Sequence, residues 1–285
     1  MGSGGWGWIV PGGLWDLVEP LLPAARVRPQ GGGTANLDDE AVFAAIVYVL
    51  TTGCAWRHLP LCFGLSKSTV HRRFTLWTRD GLWGRLRRTM LERLVAADVL
   101  DVSRVIVDSV RVRAKKGGLH TGPSPVDRGK PGSKVHVLSD RSGLPLVVGI
   151  SAGNTHDQHG LIPLVQALQM KHDPERGLHY KPRKVHADKA YDSPDLRKWL
   201  RRQQILPRIA RKGVESSQTL GRHRWVIERT MAWLTGYRRI ARRYERNHLL
   251  CLAFCDLAAV ITCHKRLAIA GPRRVGLHPN CSGPL

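Results

Sequence analysis

Three acidic residues stand in apolar surroundings that a carboxylate ordinarily avoids. Asp108 lies in VIVDSV, Asp188 in KVHADKAY and Glu228 in RWVIERTMAWL. The first two are predicted to end apolar strands, and the third lies near the start of an amphipathic helix. An ionised group at a buried strand end loses hydration unless a cation or a hydrogen-bond network compensates. We therefore expect the three side chains to converge and to hold a pair of divalent metal ions.

The charge balance indicates what such a metal site would act on. The chain has 45 Lys and Arg against 22 Asp and Glu, a formal net charge of +23. A surface of this kind neutralises a polyanion, and two metal ions can clamp the attacking and leaving oxygens of a phosphodiester. RNA packing of the ribosomal-protein type is less consistent with 285 residues, 42% hydrophobic content and nine Trp. The sequence thus favours an enzyme that cuts or joins DNA.

Neither the cysteines nor the apolar segments indicate an exported or membrane protein. The six Cys form no CxxC pair, and Cys251 and Cys255 lie one helical turn apart in an apolar run, which is typical of buried thiols. The N-terminus lacks the basic start and continuous apolar stretch of a signal peptide. The run LLCLAFCDLAAVITC contains Asp256 and is shorter than the roughly 18 to 20 apolar residues of a membrane span. We expect a buried helix there, and a cytoplasmic protein with no membrane partner.

Residues 1–100 are predicted to form a helical domain that binds DNA. Asn36 and Gly53 are the expected N-cap and stop of a first long helix. Ser66 can cap a second helix after a Gly-containing turn, as in the recognition helix of a helix-turn-helix. The candidate DNA contacts on this helix are Lys67, Ser68, His71, Arg72 and Arg73. A solvated basic face on an ordinary bundle helix is an equally good interpretation, and Pro60 requires the preceding helix to be short.

From residue 104 onward short apolar runs alternate with turns, and 104–267 is predicted to be one α/β domain. The strands VIVDSV, KVHVLSD and LPLVVGIS come first, and helix, strand, helix, strand and helix follow. This order predicts a ribonuclease H-like mixed sheet with helices on its faces, in which Asp108 and Asp188 occupy adjacent strands. The Gly-, Pro- and Lys-rich segment 111–134 is predicted to be a basic loop, and 268–285 a flexible basic tail.

Helix geometry places Glu228 away from the core face of its own helix. At about 100° per residue, Arg224 and Glu228 share one edge of the helix. The opposite, apolar face consists of Val226, Thr230, Trp233, Leu234 and Tyr237. A surface Glu paired with Arg224 is the alternative, and such a pair is worth a few tenths of a kcal/mol. The coincidence of Glu228 with two similarly placed aspartates favours the catalytic interpretation.

Taken together, the motifs resemble those of insertion-sequence transposases of the DDE type, in the branch typified by insertion sequence five. The shared segments span nearly the whole chain: AIVYVLTTGCAWRHLP, STVHRRF, VDSVRVRAKK, GKPGSKVHVLSD, GNTHD, HADKAYD, RIARKG and RWVIERTMAWLTGYRR. The resemblance implies that Asp108, Asp188 and Glu228 are a catalytic triad binding two Mg²⁺ ions, for which Mn²⁺ substitutes. It also implies that the N-terminal region recognises the terminal inverted repeats in double-stranded DNA, and that a homodimer holds both ends. The expected location is the bacterial cytoplasm, associated with the nucleoid.

The signature around the catalytic Glu is incomplete. Related transposases carry Tyr, Arg, Glu and Lys with two, three and six residues between successive members. Arg224 and Glu228 fit this spacing, but Gly221 stands in place of the Tyr and Thr235 in place of the Lys. The two arginines at 238–239 are expected to supply the missing cation. The candidate DNA contacts in this part of the chain are Lys115, Lys116, Lys134, Arg224, Arg238 and Arg239.

Other residues near the carboxylates leave alternatives open. His186 lies on the same side of its strand as Asp188 by period-two alternation, and it is a candidate to support the metal ligands together with Tyr191. Asp157, in GNTHD, either faces the active site or belongs to a helix N-cap. A tyrosine recombinase would instead use a residue such as Tyr191 as nucleophile. A non-catalytic DNA-binding regulator, or an inactive descendant of a transposase, would need the basic surface alone.

Overall fold

The computed structural model describes residues 5–24, 37–211 and 217–270, without the side chains of 217–224. The helices in these ranges are α1 (Trp15–Val18), α2 (Asp39–Thr52), α3 (Lys67–Arg79), α4 (Leu82–Ala96), α5 (Gln158–Gln169), α6 (Pro194–Arg202), α7 (Ser217–Thr235), α8 (Arg238–Ala241) and α9 (His248–Ala270). The strands are β1 (Arg104–Ala114), β2 (Gly122–Pro123), β3 (Pro131–Ser139), β4 (Pro145–Ala152), β5 (Lys184–Ala187), β6 (Leu206–Ile209) and β7 (Arg242–Arg243). As predicted, the region before residue 100 is helical, and the strands lie after it together with further helices.

The sheet is mixed, and β1 is its central strand. β1 pairs antiparallel with β3 and parallel with β5. β3 pairs antiparallel with β4, and β5 pairs parallel with β6. The resulting order β4–β3–β1–β5–β6 confirms the predicted ribonuclease H-like arrangement. Parallel neighbours need crossover connections, and α5 and α6 lie in those connections.

Helix α9 is the central core helix. Among the described residues it alone is long and apolar enough to cross a membrane, and 72% of its most apolar window is buried within the protein. It packs against α4 and β4. Asp256 is paired with Arg87 of α4, with 3.1 Å between a carboxylate oxygen and the guanidinium. The predicted buried helix is confirmed and runs to Ala270, whereas residues 271–285 of the predicted tail lie outside the described ranges.

Capping groups define both ends of α2. The carboxylate of Asp38 accepts hydrogen bonds from the N–H groups of Glu40 at 2.9 Å and Ala41 at 3.1 Å. Asn36, the N-cap expected from the sequence, lies outside the described residues, and the cap is Asp38 instead. Gly53 ends the helix in the left-handed conformation with φ 69°, as predicted.

A long connection separates α2 from α3. It contains two 3₁₀ turns, Trp56–His58 and Leu61–Phe63, whereas a helix-turn-helix has a turn of about three to four residues. Ser66 caps α3 as predicted, since its hydroxyl accepts from the N–H of Thr69 at 3.1 Å. The N-terminal region is therefore helical and presents α3 behind a cap, but the connection is longer than the expected turn.

The N-terminal helices share one apolar core with the sheet. Buried side chains of α2, α3 and α4 belong to the same cluster as those of β1, β3 and α9. Phe74 of α3 packs on Phe254 of α9, with ring centroids 4.5 Å apart. The domain boundary near residue 100 stays a prediction, and a continuous apolar interface joins the regions on its two sides.

A buried arginine ties the basic loop to the sheet. Arg243 of β7 is 1% exposed. Its guanidinium donates to the carbonyl oxygens of Leu119 at 2.6 Å, His120 at 3.0 Å and Arg246 at 3.1 Å, and to Ser133 Oγ at 2.7 Å. These acceptors belong to the loop, to β3 and to the segment before α9. Main-chain carbonyl groups from two segments and a hydroxyl group of β3 therefore solvate one buried cation and fix this part of the loop.

We expect Arg243→Lys to destabilise the fold. Lysine keeps the charge but has three donors on one nitrogen, so it leaves several of these buried acceptors unsatisfied. The loss should exceed about 2 kcal/mol, which lowers Tm by more than about 4 °C in a chain of this size. Thermal unfolding by circular dichroism measures it. Arg242→Lys, at the exposed neighbouring position, is the matched control, and equal Tm values for the two variants would contradict the assignment.

Candidate active site

The first two predicted carboxylates lie on neighbouring parallel strands. The register pairs Ile106 of β1 with His186 of β5, and two residues further along each chain are Asp108 and Asp188. Period-two alternation places both on the same face of the sheet, with His186. Asp188 directly follows β5, as predicted. Asp108 lies inside β1 rather than at its end, because the strand continues to Ala114.

Main-chain groups hold both carboxylates. The N–H of Ser109 donates to an oxygen of Asp108 at 2.8 Å, and the N–H of Ala190 donates to an oxygen of Asp188 at 2.9 Å. Both side chains are half-buried. A main-chain N–H that donates to a carboxylate oxygen fixes the orientation of that side chain. The pair therefore offers fixed anionic oxygens, which are the ligands that Mg²⁺ prefers.

Tyr191 is buried beside these carboxylates. Burial raises the pKa of its phenol, and the negative charges of Asp108, Asp157 and Asp188 raise the pKa further. Its hydroxyl has no hydrogen-bond partner within normal geometry. A phenol with a raised pKa is a poor nucleophile, because the reactive phenolate is disfavoured. This environment argues against the tyrosine-recombinase alternative and places Tyr191 next to the carboxylates it was expected to support.

Asp157 lies near Tyr191 together with Asp108 and Asp188. Its sequence context had left open whether it faces the active site or caps a helix. It occupies the N-cap position of α5, but its side chain makes no capping hydrogen bond. One of its oxygens instead accepts from Lys134 Nζ at 2.9 Å and from Ser109 Oγ at 2.5 Å. Burial alone would raise the pKa of Asp157, but the hydrogen bonds from Ser109 and Lys134 outweigh burial and hold that pKa below its usual value.

Lys134 is a buried structural cation whose donors are occupied inside the protein, and its contact with DNA stays a prediction. Its side chain is 3% exposed. The ammonium group also donates to the carbonyl oxygen of Thr155 at 2.6 Å. Lys134, Asp157 and Ser109 thus link β3, the start of α5 and β1 immediately behind Asp108. Sequence analysis missed this network because its members meet only after β1 and β3 pair.

The third predicted carboxylate, Glu228, is carried by helix α7 and not by the sheet. Glu228 lies in the interior of α7, on its exposed side, whereas Val226, Thr230 and Leu234 are buried as the predicted core face requires. Within the described part of the chain, no three His, Cys, Asp or Glu side chains are gathered closely enough to hold a metal ion. Asp108 and Asp188 suit a cation that also takes ligands from water and substrate. The expected contact of Arg224 lies outside the described side chains.

Six of the predicted DNA contacts on α3 and in the loop have exposed side chains. They are Lys67, Ser68, His71, Arg72, Lys115 and Lys116. Arg73 is instead paired with Asp39 and stacks over Trp77 with 5.7 Å between its guanidinium and the ring centroid. Burial lowers the pKa of His71, which favours the neutral ring at neutral pH. The α3 contact surface is therefore narrower than the sequence suggested.

Of the two arginines after α7, only Arg238 is exposed. Arg239 is buried, and its guanidinium donates to Glu245 Oε1 at 2.8 and 2.6 Å and to the carbonyl oxygen of Cys54 at 2.8 Å. This fork of donors is occupied inside the protein, and the contact of Arg239 with DNA stays a prediction. Arg238 stays a predicted source of the cation missing from the signature.

Two models of known protein families match this chain, one in its N-terminal part and one in the part that follows. The model described as "Putative transposase of IS4/5 family" matches residues 11–87, and the model described as "Transposase DDE domain" matches residues 101–255. The second match covers more than half of the chain and includes all three predicted carboxylates. The chain belongs to the DDE transposases of insertion sequences.

Relatives of this transposase are found in Burkholderia cepacia. The "Putative transposase for insertion sequence element IS402" is 40% identical over 168 residues, which cover 58% of this chain and 76% of the relative. The "Insertion element IS402 uncharacterized 16.2 kDa protein" is 39% identical over 119 residues, 41% of this chain and 81% of the relative. Among solved structures, the catalytic domain of Mos1 mariner transposase matches 61% of this chain and 92% of its own, with 14% identity and a TM-score of 0.28.

We expect Lys134 and Asp157 to be strongly coupled in stability. Removing either partner leaves a desolvated charge, so Lys134→Met and Asp157→Asn should each cost about 2 kcal/mol or more. The double variant should cost less than the sum, with a coupling of about 1–3 kcal/mol. Since folding holds the pKa of Asp157 below its unfolded value, this stabilisation is complete above about pH 4 and is lost as pH falls through the folded pKa.

Urea unfolding at pH 6 and pH 8 measures this cycle, and the coupling should be the same at both values. The control cycle uses Arg113→Met and Asp127→Asn, because Arg113 and Asp127 form a half-exposed pair at 3.9 Å. Exposed pairs contribute less than about 1 kcal/mol. Equal coupling energies in the two cycles would refute a strong interaction between Lys134 and Asp157.

Proposed function

We propose that this transposase cleaves the ends of its insertion sequence by metal-dependent hydrolysis and joins the freed 3′-hydroxyl to target DNA. The observation that carries the proposal is the parallel pairing of β1 and β5, which sets Asp108 and Asp188 side by side. Family membership supports phosphoryl-transfer chemistry in general. The assignment of this activity to Asp108, Asp188 and Glu228 is our proposal.

Asp108 and Asp188 would hold the divalent cations, two Mg²⁺ with Mn²⁺ as a substitute, and Glu228 would complete the set from α7. When bound, such ions stabilise the attacking and leaving oxygens of a phosphodiester. The chain itself does the positioning. Ser109 and Ala190 orient the aspartates through N–H bonds, and the residues behind Asp108 keep β1 fixed while DNA binds.

The basic residues divide into two proposed DNA contacts. The exposed face of α3, with Lys67 and Arg72, would read the inverted repeats. Lys115 and Lys116, in the loop held by Arg243, would follow the phosphate backbone nearer the carboxylates. Synapsis of two ends would require a homodimer on DNA, and the protein would work in the bacterial cytoplasm on nucleoid DNA. A non-catalytic regulator would use the same surfaces but would not need the paired aspartates.

We expect Asp108→Asn and Asp188→Asn to abolish cleavage without affecting DNA affinity. Each change removes an anionic metal ligand and no phosphate contact. The rate of Mg²⁺-dependent nicking, on a duplex carrying the element's own end, should fall about a thousandfold or more, equivalent to about 4 kcal/mol in the barrier. Fluorescence anisotropy should show DNA affinity within twofold, and calorimetric titration with Mn²⁺ should show weaker metal binding. Asp195→Asn, on the exposed side of α6, is the control; retained nicking in either active-site variant would refute the assignment.

Glu228→Gln provides a separate test of the third ligand. Because Glu228 is exposed, the substitution should leave Tm within about 1 °C, as is usual for surface changes. Nicking should nevertheless fall about a hundredfold or more, since the amide cannot replace an anionic ligand. Glu175→Gln, also exposed, should have no effect. Near-normal nicking by Glu228→Gln would leave the aspartates in place and remove Glu228 from the active site.

A further inference from the structure

Helix α7 carries a stacked column of aromatic and cationic side chains. Trp225, Arg229 and Trp233 follow one another at intervals of four residues, so they lie along one side of the helix. The guanidinium of Arg229 is 4.7 Å from the ring centroids of both tryptophans. Arg266 of α9 closes the other end, 4.1 Å from the centroid of Trp233. The order along the column is Trp225, Arg229, Trp233 and Arg266.

The column is fixed to the sheet. Arg229 donates to the carbonyl oxygen of Ser142, in the turn between β3 and β4, at 2.6 Å. The next residue, Thr230, donates its buried hydroxyl to the carbonyl oxygen of Gly143 at 2.6 Å. An arginine held between two aromatic faces and a carbonyl oxygen keeps few rotamers. The ring of Trp225 therefore rests on a preorganised support and loses little entropy when a ligand packs on it.

The outer end of this column is open to solvent. Trp225 is 53% exposed, and it lies three residues before Glu228. At about 100° per residue the two side chains leave α7 about 60° apart, so they share its exposed side. An indole left in water beside the third acid is not needed by the core. Single exposed apolar residues are common on protein surfaces, but this one is the end of a rigid support.

We propose that Trp225 is a stacking platform for an unpaired nucleobase of the DNA strand cut at the element end. Every base presents a π-face to an indole, and such stacking is tolerant of sequence. The cations below Trp225 and the charge of +23 suit a polyanionic partner rather than another basic surface. A paired base has its faces covered by its neighbours, so the platform requires a locally unstacked strand. This inference rests on the proposed cleavage reaction and names the form of DNA that the site holds.

The test compares single-stranded with duplex DNA. The probe is a 16-nucleotide oligodeoxynucleotide with one central 2-aminopurine, alone or annealed to its complement, titrated with full-length protein at about 0.2 M salt to suppress non-specific phosphate binding. Trp225→Leu should weaken single-strand binding about 5- to 150-fold, the effect of losing one stacked base, and should abolish the quenching of 2-aminopurine. Trp225→Phe should retain most of both signals. Duplex affinity should change less than twofold.

Trp8→Leu is the matched control, because Trp8 is 59% exposed but packs edge-on against Tyr48 of α2. It should behave as wild type. Equal single-strand affinity in Trp225→Leu and wild type would overturn the proposal, as would equal losses on single strand and duplex. A change in sedimentation coefficient would assign Trp225 to contact between protein copies and also overturn it. Nicking by Asp108→Asn is scored separately, so failure of the cleavage assignment is distinguishable from failure of the platform.

Discussion

Parallel pairing between β1 and β5 is the constraint on which the proposed chemistry depends. It brings two like charges, Asp108 and Asp188, onto one face of the sheet. One main-chain hydrogen bond orients each carboxylate. Tyr191, whose pKa is raised by burial and by three nearby carboxylates, lies buried beside them. The site thus concentrates negative charge in a half-buried position, which is the electrostatic setting that a divalent cation relieves.

Much of the positive charge of this chain is structural. Lys134, Arg239 and Arg243 are all buried, and each binds carbonyl, carboxylate or hydroxyl oxygens inside the protein. Lys171 follows α5 and lies near Arg87 and Arg88 of α4, and burial lowers its pKa to about 7. The formal charge of +23 therefore overstates the charge that DNA meets. The composition indicated a polyanionic partner because it counts every charged residue. It does not show which of those residues are buried.

The sequence predicted those features that local rules determine. Short apolar runs between turns located β3, β4 and β5. Gly53 and Ser66 marked helix ends because their caps involve residues within one turn. The length of β1 was missed, because its outer half alternates with Arg111 and Arg113 and resembles the basic loop that follows. The role of Asp157 was left open for a different reason. Its partner Lys134 is 23 residues away, and the two meet only through the pairing of β1 with β3.

The placement of Arg239 has a mechanical consequence for the two parts of the molecule. Its guanidinium joins the connection between α2 and α3, through the carbonyl oxygen of Cys54, to Glu245 in the segment before α9. The same arginine stacks over Trp56 and Phe254. α8, which carries it, follows directly from α7 and Glu228, and β7 follows with the arginine that fixes the basic loop. One buried guanidinium, its ion pair and close aromatic packing therefore hold the connection before α3 against the segment between α7 and α9.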